Sequence, residues 1–247
     1  MNEIHNEDCM ITMAKMADAS VDLIVTSPPY NKWKNVRVQK NRAEYWNRTN
    51  IKYDNYNDKM SDEDYENWQI NIINECLRVL KPTGTICYNH KDEIHNFTVK
   101  SPLQWIFKTN ACLRQSVIWD RCGMQAYNPV RFYRLEEYIY ILGHHNKKFK
   151  WNKDAAKYNS IWRIPPNRNI HGHPATFPEE IVKRCIEAFT EENDIVYDPF
   201  NGSGTTTLVS KKMNRQYIGS DISQKYCEVA LSRINDYVSL VNLGVEE

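Results

Sequence analysis

Residues 194–212 read DIVYDPFNGSGTTTLVSKK. "DIVYD" is a short apolar run with a carboxylate at each end, the pattern of a buried strand. "PFNGSG" breaks the run, and "TTTLVSKK" resumes it as a helix. A strand that turns on glycines into a helix is one half of a βα unit. Gly202 and Gly204 permit a tight turn and a close approach by a ligand. The N–H groups opening the next helix are expected to be exposed and to attract electronegative ligand atoms. "QYIGSD" supplies the following strand, and Asp221 ends it where dinucleotide folds carry a ribose-binding carboxylate.

The turn is not a phosphate loop. It lacks the lysine of GxxxxGK[ST] and departs from GxGxxG. A cofactor with adenosine but no pyrophosphate fits better, and Asp198 can face a ligand ammonium. This pattern points to S-adenosylmethionine before NAD or ATP. A strand-to-helix turn with purely structural glycines is the alternative.

A second stretch, TSPPYN at 26–31, follows the apolar run "VDLIV". Pro28 and Pro29 fix two φ angles and supply no N–H, and they hold the preceding residues extended. The result is a stiff loop with carbonyls free to accept, the Ser27 hydroxyl beside them, and in Tyr30 a ring able to stack on a base. Acceptors plus a stacking face suit an exocyclic amino group. Holding its two N–H bonds localises the nitrogen lone pair as the nitrogen becomes tetrahedral, which favours the transition state over the ground state. No covalent intermediate is needed, and no Pro-Cys pair suited to attack at a cytosine ring carbon occurs. The plain alternative is a turn with a buried aromatic.

The rest of the chain alternates strands with amphipathic helices. The strands are 21–25, 85–89, 115–119, 137–143, 194–198 and 216–221. One helix follows Ser61, capped by Ser61 with Asp64, carries the stripe Tyr65, Trp68, Ile72, Cys76, Val79, and is stopped by Pro82 and Gly84. Further helices are expected at 101–112, after Thr176 with Glu179 completing a capping box, after the glycine turn, and at 223–236. This order gives an α/β fold, a mostly parallel sheet with flanking helices, in one domain with inserted loops at 31–60 and 144–170. Both motifs end strands, so an open sheet can bring them together at a switch in strand order.

With 247 residues, 41% hydrophobic and 26% charged, the chain fits a globular protein. It has no apolar run of membrane-spanning length and no basic apolar leader, so the expectation is the cytoplasm and no membrane. Seven dispersed cysteines read as reduced, mostly buried thiols, and no residue spacing supports a metal site. His171 and His173 lack further partners for a metal. A net charge of +1 gives no global case for a nucleic acid. The local basic segments 32–52 and 147–157 form either a polyanion-binding face or two solvated loops.

Taken together the motifs closely resemble the amino-group DNA methyltransferases of restriction-modification systems, in the β arrangement with the catalytic motif before the cofactor motif. The family's [DNS]-P-P-[YFW] resembles Ser27, Pro28, Pro29 and Tyr30, and its F-x-G-x-G resembles Phe200, Gly202 and Gly204. "NEDC" (6–9), "LRVLKPTGTI" (77–86) and "HPATFP" (173–178) also match in type. The resemblance implies a Rossmann-like fold that transfers methyl from S-adenosyl-L-methionine to a flipped base in duplex DNA. It assigns to the cofactor Asp8, Cys9, Thr26, His173, Pro174, Asp198, Pro199, Phe200, Gly202, Ser203, Gly204, Thr205, Thr206, Asp221 and Ile222. Ser27 leans toward N4 of cytosine, with N6 of adenine the alternative. A cognate restriction endonuclease and a homodimer are the implied partners. Asn31, Lys32, Trp33, Arg37, Arg42, Lys147 and Lys148 are the expected DNA contacts, with 31–60 and 144–170 as recognition loops. A fold that binds DNA without catalysis, or one that methylates RNA or a metabolite, are the competing classes.

Overall fold

In β2 (Val21–Thr26) Leu23 and Val25 face one way and Ile24 the other, and all three are fully buried. A strand apolar on both faces belongs at the centre of a sheet covered twice. The computed structural model describes residues 2–31, 60–95, 97–123, 131–167 and 177–244, and there β2 sits in the middle of an eight-stranded sheet. The strands are β1 (Glu3–His5), β2, β3 (Leu80–His90), β6 (Cys112–Asp120), β7 (Glu136–Gly143), β8 (Ile161–Arg163), β9 (Ile195–Asp198) and β10 (Gln216–Ser220), in the order β1-β10-β9-β2-β3-β7-β6-β8. A small hairpin, β4 (Glu93–His95) with β5 (Thr98–Lys100), stands apart. Only β7 runs against its neighbours β3 and β6, so the sheet is mostly parallel, as expected. Strand order reverses between β9 and β2.

The helices are α1 (Cys9–Lys15), α2 (Asp62–Val79), α3 (Leu103–Ile106), α4 (Glu179–Phe189), α5 (Thr205–Lys212) and α6 (Gln224–Asn242). α1, α2 and α3 bury Met13, Ile72, Cys76 and Trp105 against Ile24, Ile86 and Tyr140 on one face. On the other, α4 buries Ile181, Val182, Cys185 and Ile186 against Leu23, Val25 and Ile141. Each fully buried aliphatic side chain contributes about 1.5–3 kcal/mol. α2 starts as its sequence says: Ser61 Oγ accepts from Asp64 N at 3.0 Å. Five of the seven cysteines are buried, and Cys122 is exposed. Among the described residues no helix is long and apolar enough to cross a membrane, and no group of metal-ligating side chains gathers.

Several boundaries differ from the sequence reading. Pro82 and Gly84 do not stop α2. The helix ends at Val79, and both residues lie inside β3, where its pairing with β2 jumps from Val21–Leu80 to Leu23–Thr85. An irregular stretch at the start of a strand tolerates a residue without N–H. The helix expected at 101–112 is the single turn of α3, because residues from Cys112 onward pair with β7. The 144–170 segment holds a 3-10 turn at Lys153–Lys157 and all of β8. Helix α4 begins at Glu179 with Pro178 at its N-cap and no side-chain cap. Glu179 is therefore the first helical residue and cannot close a capping box from Thr176, which lies outside the described residues. β1, α1 and the β4–β5 hairpin were not expected, and α6 runs six residues past the expected end.

Gly204 is N-cap of α5 at φ 79°, and a Cβ there would sit 2.5 Å from Ala230 Cβ on α6. Gly204→Ala is expected to cost about 2–4 kcal/mol, from the left-handed backbone and the overpacked contact together. Urea unfolding of the variant against wild type measures it.

Candidate active site

The strand directions collect one polar edge. At it lie the C-terminal ends of β1, β10, β9, β2, β3, β6 and β8 and the first residues of β7. The stretches after β2 and after β9, distant in sequence, therefore emerge side by side at the reversal of strand order. Thr26 Oγ1 donates to Asp198 Oδ1 at 2.8 Å with both residues buried, and Thr206 Oγ1 donates to the Val25 carbonyl at 3.4 Å. The Pro-Pro loop and the glycine turn thus share one seam.

Asp198 is enclosed by the turn it begins. Its Oδ1 also accepts from Phe200 N at 3.0 Å. Burial pushes its carboxyl up to about 6, against the pull of the Thr206, Thr26 and Phe200 hydrogen bonds. Asp221 bridges outward from β10: Oδ2 takes Gly202 N at 2.9 Å and Oδ1 takes Ser223 N at 2.8 Å. Burial raises its pKa too. The Asn201 and Gly204 N–H groups go to the Ser220 and Asn201 carbonyls. The donors at Phe200, Asn201, Gly202 and Gly204 are thus spent inside the protein, ahead of the N–H groups that open α5 at Thr205. The carboxylates of Asp198 and Asp221 stand beside them and are complementary to a cation. Ser203, Thr205 and Pro199 are buried in the turn, and Arg233 Nη1 clamps it from α6 through the Ser203 carbonyl at 2.7 Å. Phe200 packs on Trp68, ring centroids 5.5 Å apart. Ile222 is exposed beside Asp221.

Asp8 follows β1 and caps α1, Oδ1 accepting from Met10 N at 2.8 Å. Asn6 Nδ2 ties this segment to the Asp221 carbonyl at 3.1 Å. Cys9, expected at the cofactor, has its side chain in the core, and burial pushes its thiol well above the usual range.

On the other side of the seam, Ser27 and Tyr30 enter a network that sequence reading did not find. Ser27 Oγ donates to Asn89 Oδ1 at 3.0 Å, Tyr30 OH lies 2.8 Å from the same atom, and the two hydroxyls are 3.1 Å apart. Tyr30 OH also reaches Glu137 Oε2 at 3.2 Å, and Glu137 Oε1 pairs with Arg121 at 3.1 Å. The Tyr30 ring lies 4.5 Å from His90 and is only 8% exposed, less open than the sequence suggests. Of the two proline carbonyls, that of Pro29 accepts Tyr65 OH at 2.8 Å, while no donor among the described residues reaches that of Pro28. The one signal for Asn89 and Glu137 was position: a polar residue ending "TICYN" and a carboxylate starting "EYIYILG". Asn31 is buried at φ 49° and holds Met60 through both its amide atoms, at 3.0 and 3.1 Å, so it closes the base of the following segment.

Lys32, Trp33, Arg37, Arg42, His173 and Pro174, with most of the 31–60 loop, lie outside the described residues. Lys147 and Lys148 are corrected by the fold. They follow the C-terminal end of antiparallel β7, where His144 Nε2 meets the Leu80 carbonyl at 3.0 Å at the start of β3. That is the edge of the sheet opposite Ser27. Among the described residues, Lys91, Arg121, Arg131, Arg134 and Arg163 are basic residues on the Ser27 edge.

The sequence profile of the DNA methylase family, whose members act at N6 or N4 amino groups, matches residues 21–232. The chain belongs to this family. It is 32% identical to a type II methyltransferase, M.BglII, from Bacillus subtilis, over 93% of this chain and 68% of that one. It is 26% identical to an orphan methyltransferase, M.BamHII, from Bacillus amyloliquefaciens, over 91% and 92%. Among solved structures, the PvuII cytosine-N4-specific DNA methyltransferase superposes with a TM-score of 0.72 at 16% identity, covering 99% of this chain and 93% of that one. A putative DNA modification methylase from Thermus thermophilus, in complex with S-adenosyl-L-methionine, superposes with a TM-score of 0.69 at 22% identity and 96% of both chains. The fold is thus the Rossmann-like methyltransferase fold.

A carboxyl whose folded pKa is about 6 against an ordinary 3.8 makes the native state bind more protons between those values. It therefore costs stability as pH rises through that window, on the order of 3 kcal/mol above it. Asp198→Asn is expected to melt no lower than wild type at pH 7.5, with any advantage shrinking as pH falls toward 4. Paired thermal melts across that range check the sign.

Proposed function

We propose that this DNA amino-methyltransferase moves a methyl group from S-adenosyl-L-methionine to the N4 amino group of a cytosine flipped out of duplex DNA. The observation that carries the reading is the 2.8 Å bond between Thr26 and Asp198, which seats the Pro-Pro loop against the glycine turn. The residues fit the cofactor. The buried carboxylate of Asp198 suits a cationic ligand, the Asp221 oxygens keep lone pairs for ribose hydroxyls, and Ile222 offers an apolar contact for adenine. When bound, the cofactor supplies an electrophilic methyl on a sulfonium.

The chain's own part is to hold the nucleophile. Ser27 Oγ and the Pro28 carbonyl accept the two N–H bonds of the amino group and localise its lone pair toward the methyl. Flipping costs a few kcal/mol, and stacking on Tyr30 recovers part of it, with Lys91 5.4 Å from that ring's centroid. The serine at the head of the tetrad supports cytosine, and adenine N6 is the alternative that the experiment distinguishes. The inserted loops 31–60 and, of 144–170, the part from β8 onward are read as the recognition loops of a single catalytic domain, since Lys147 and Lys148 leave on the opposite edge. A restriction endonuclease of matching specificity and a second copy of the chain complete the proposal as partners, in the cytoplasm, both from family resemblance.

Labelled cofactor with unmethylated duplex DNA is expected to yield label in DNA. Single-molecule sequencing of DNA from cells expressing the protein then reports the base and its context. No transfer to any duplex, despite tight binding, would instead favour a DNA-binding protein without catalysis, and transfer to RNA alone would move the substrate class. Tyr30→Ala is expected to lower turnover about 10- to 100-fold, the worth of one stacked base, with cofactor affinity nearly intact. Asp198→Asn is expected to do the reverse, weakening cofactor binding about tenfold through loss of one charge contact.

A further inference from the structure

The Ser27 hydroxyl has a definite polarity, set by two residues behind it. Asn89 is buried, and its Nδ2 donates to the Tyr138 carbonyl at 3.1 Å. That bond orients the amide so that its oxygen, an acceptor only, lies between the Ser27 and Tyr30 hydroxyls. Glu137, ion-paired with Arg121, puts a second acceptor-only atom at Tyr30 OH. Tyr30 has one proton, and two neighbours that can do nothing but accept it. Ser27 then donates either to Asn89 Oδ1 or to Tyr30 OH, and both lie inward. In each arrangement the Ser27 proton points into the protein and its lone pairs point out.

We infer that Asn89 and Glu137 are positioning residues that select an amino group over a keto group at the flipped base. An oxygen presented as an acceptor bonds an N–H and is repelled by a carbonyl. Cytosine and adenine are thereby accepted, and their keto counterparts, uracil and hypoxanthine, are rejected at the same place. A site built to hydrogen-bond one partner discriminates strongly against the analogue that cannot supply it. The inference rests on the methyltransferase reading and adds to it the reason the serine serves as acceptor.

The test uses the full chain with S-adenosylhomocysteine and duplexes carrying at the target position either the amino base or its keto counterpart, binding being read by fluorescence anisotropy. Turnover is measured in parallel. Wild type is expected to prefer the amino base. Asn89→Leu, of similar size but unable to accept, is expected to narrow that preference about tenfold and lower kcat about tenfold with KM for DNA little changed. Asn89→Asp keeps the acceptor and is expected to retain most of the preference. Should Asn89→Leu fail to fold, Glu137→Gln, which turns an N–H₂ toward Tyr30 while its oxygen stays with Arg121, is expected to narrow the preference in the same direction. If the folded variant keeps the wild-type preference and kcat, the inference is overturned. Absence of methyl transfer by wild type itself would instead sink the proposed function, so the two failures are told apart.

Discussion

A hydroxyl at the end of one central strand donates to a carboxylate at the end of its neighbour, and the site depends on that bond. Thr26 and Asp198 end the neighbouring strands β2 and β9, where strand order reverses and two strand ends open away from each other. The bond satisfies part of a buried carboxylate that burial has made less acidic, and it fixes the spacing of two loops far apart in sequence. Without it Asp198 would be left short of a donor, and the Pro-Pro loop would lose its tether to the glycine turn.

Charge is handled differently along the polar edge. Asp8, Asp221 and Asp198 stand over β1, β10 and β9 and are held mostly by backbone N–H and hydroxyl donors. Around the ends of β3, β6, β7 and β8 the charges are paired, Arg121 with Glu137, Arg163 with Asp120, and Arg134 with Asp92 and Glu136.

Much of this was legible in the sequence, for reasons that differ by residue. The apolar run "VDLIV", the Ser61 cap and the turn glycines are local, and each acts within a few residues of itself. The shared edge of the two motifs followed from their both ending strands. Asn89 and Glu137 were not legible, because their role exists only once antiparallel β7 lies beside β3. Lys147 and Lys148 misled because charge composition says nothing about which edge a strand's exit faces, and β7 exits backwards. Pro82 and Gly84 misled because residues that usually terminate a helix are also admitted where a strand begins irregularly.

Arg233 gives the last helix a share in the cofactor half. Its guanidinium holds the Ser203 carbonyl at 2.7 Å and the Glu179 carboxylate at 3.2 Å, and Gly204 needs its lack of a side chain because Ala230 of the same helix presses on it. The ribosome makes α6 after every motif described here. A nascent chain lacking those residues would display both signatures complete, yet its glycine turn would have neither clamp nor backstop. The glycine turn is therefore complete only once α6 has docked on it.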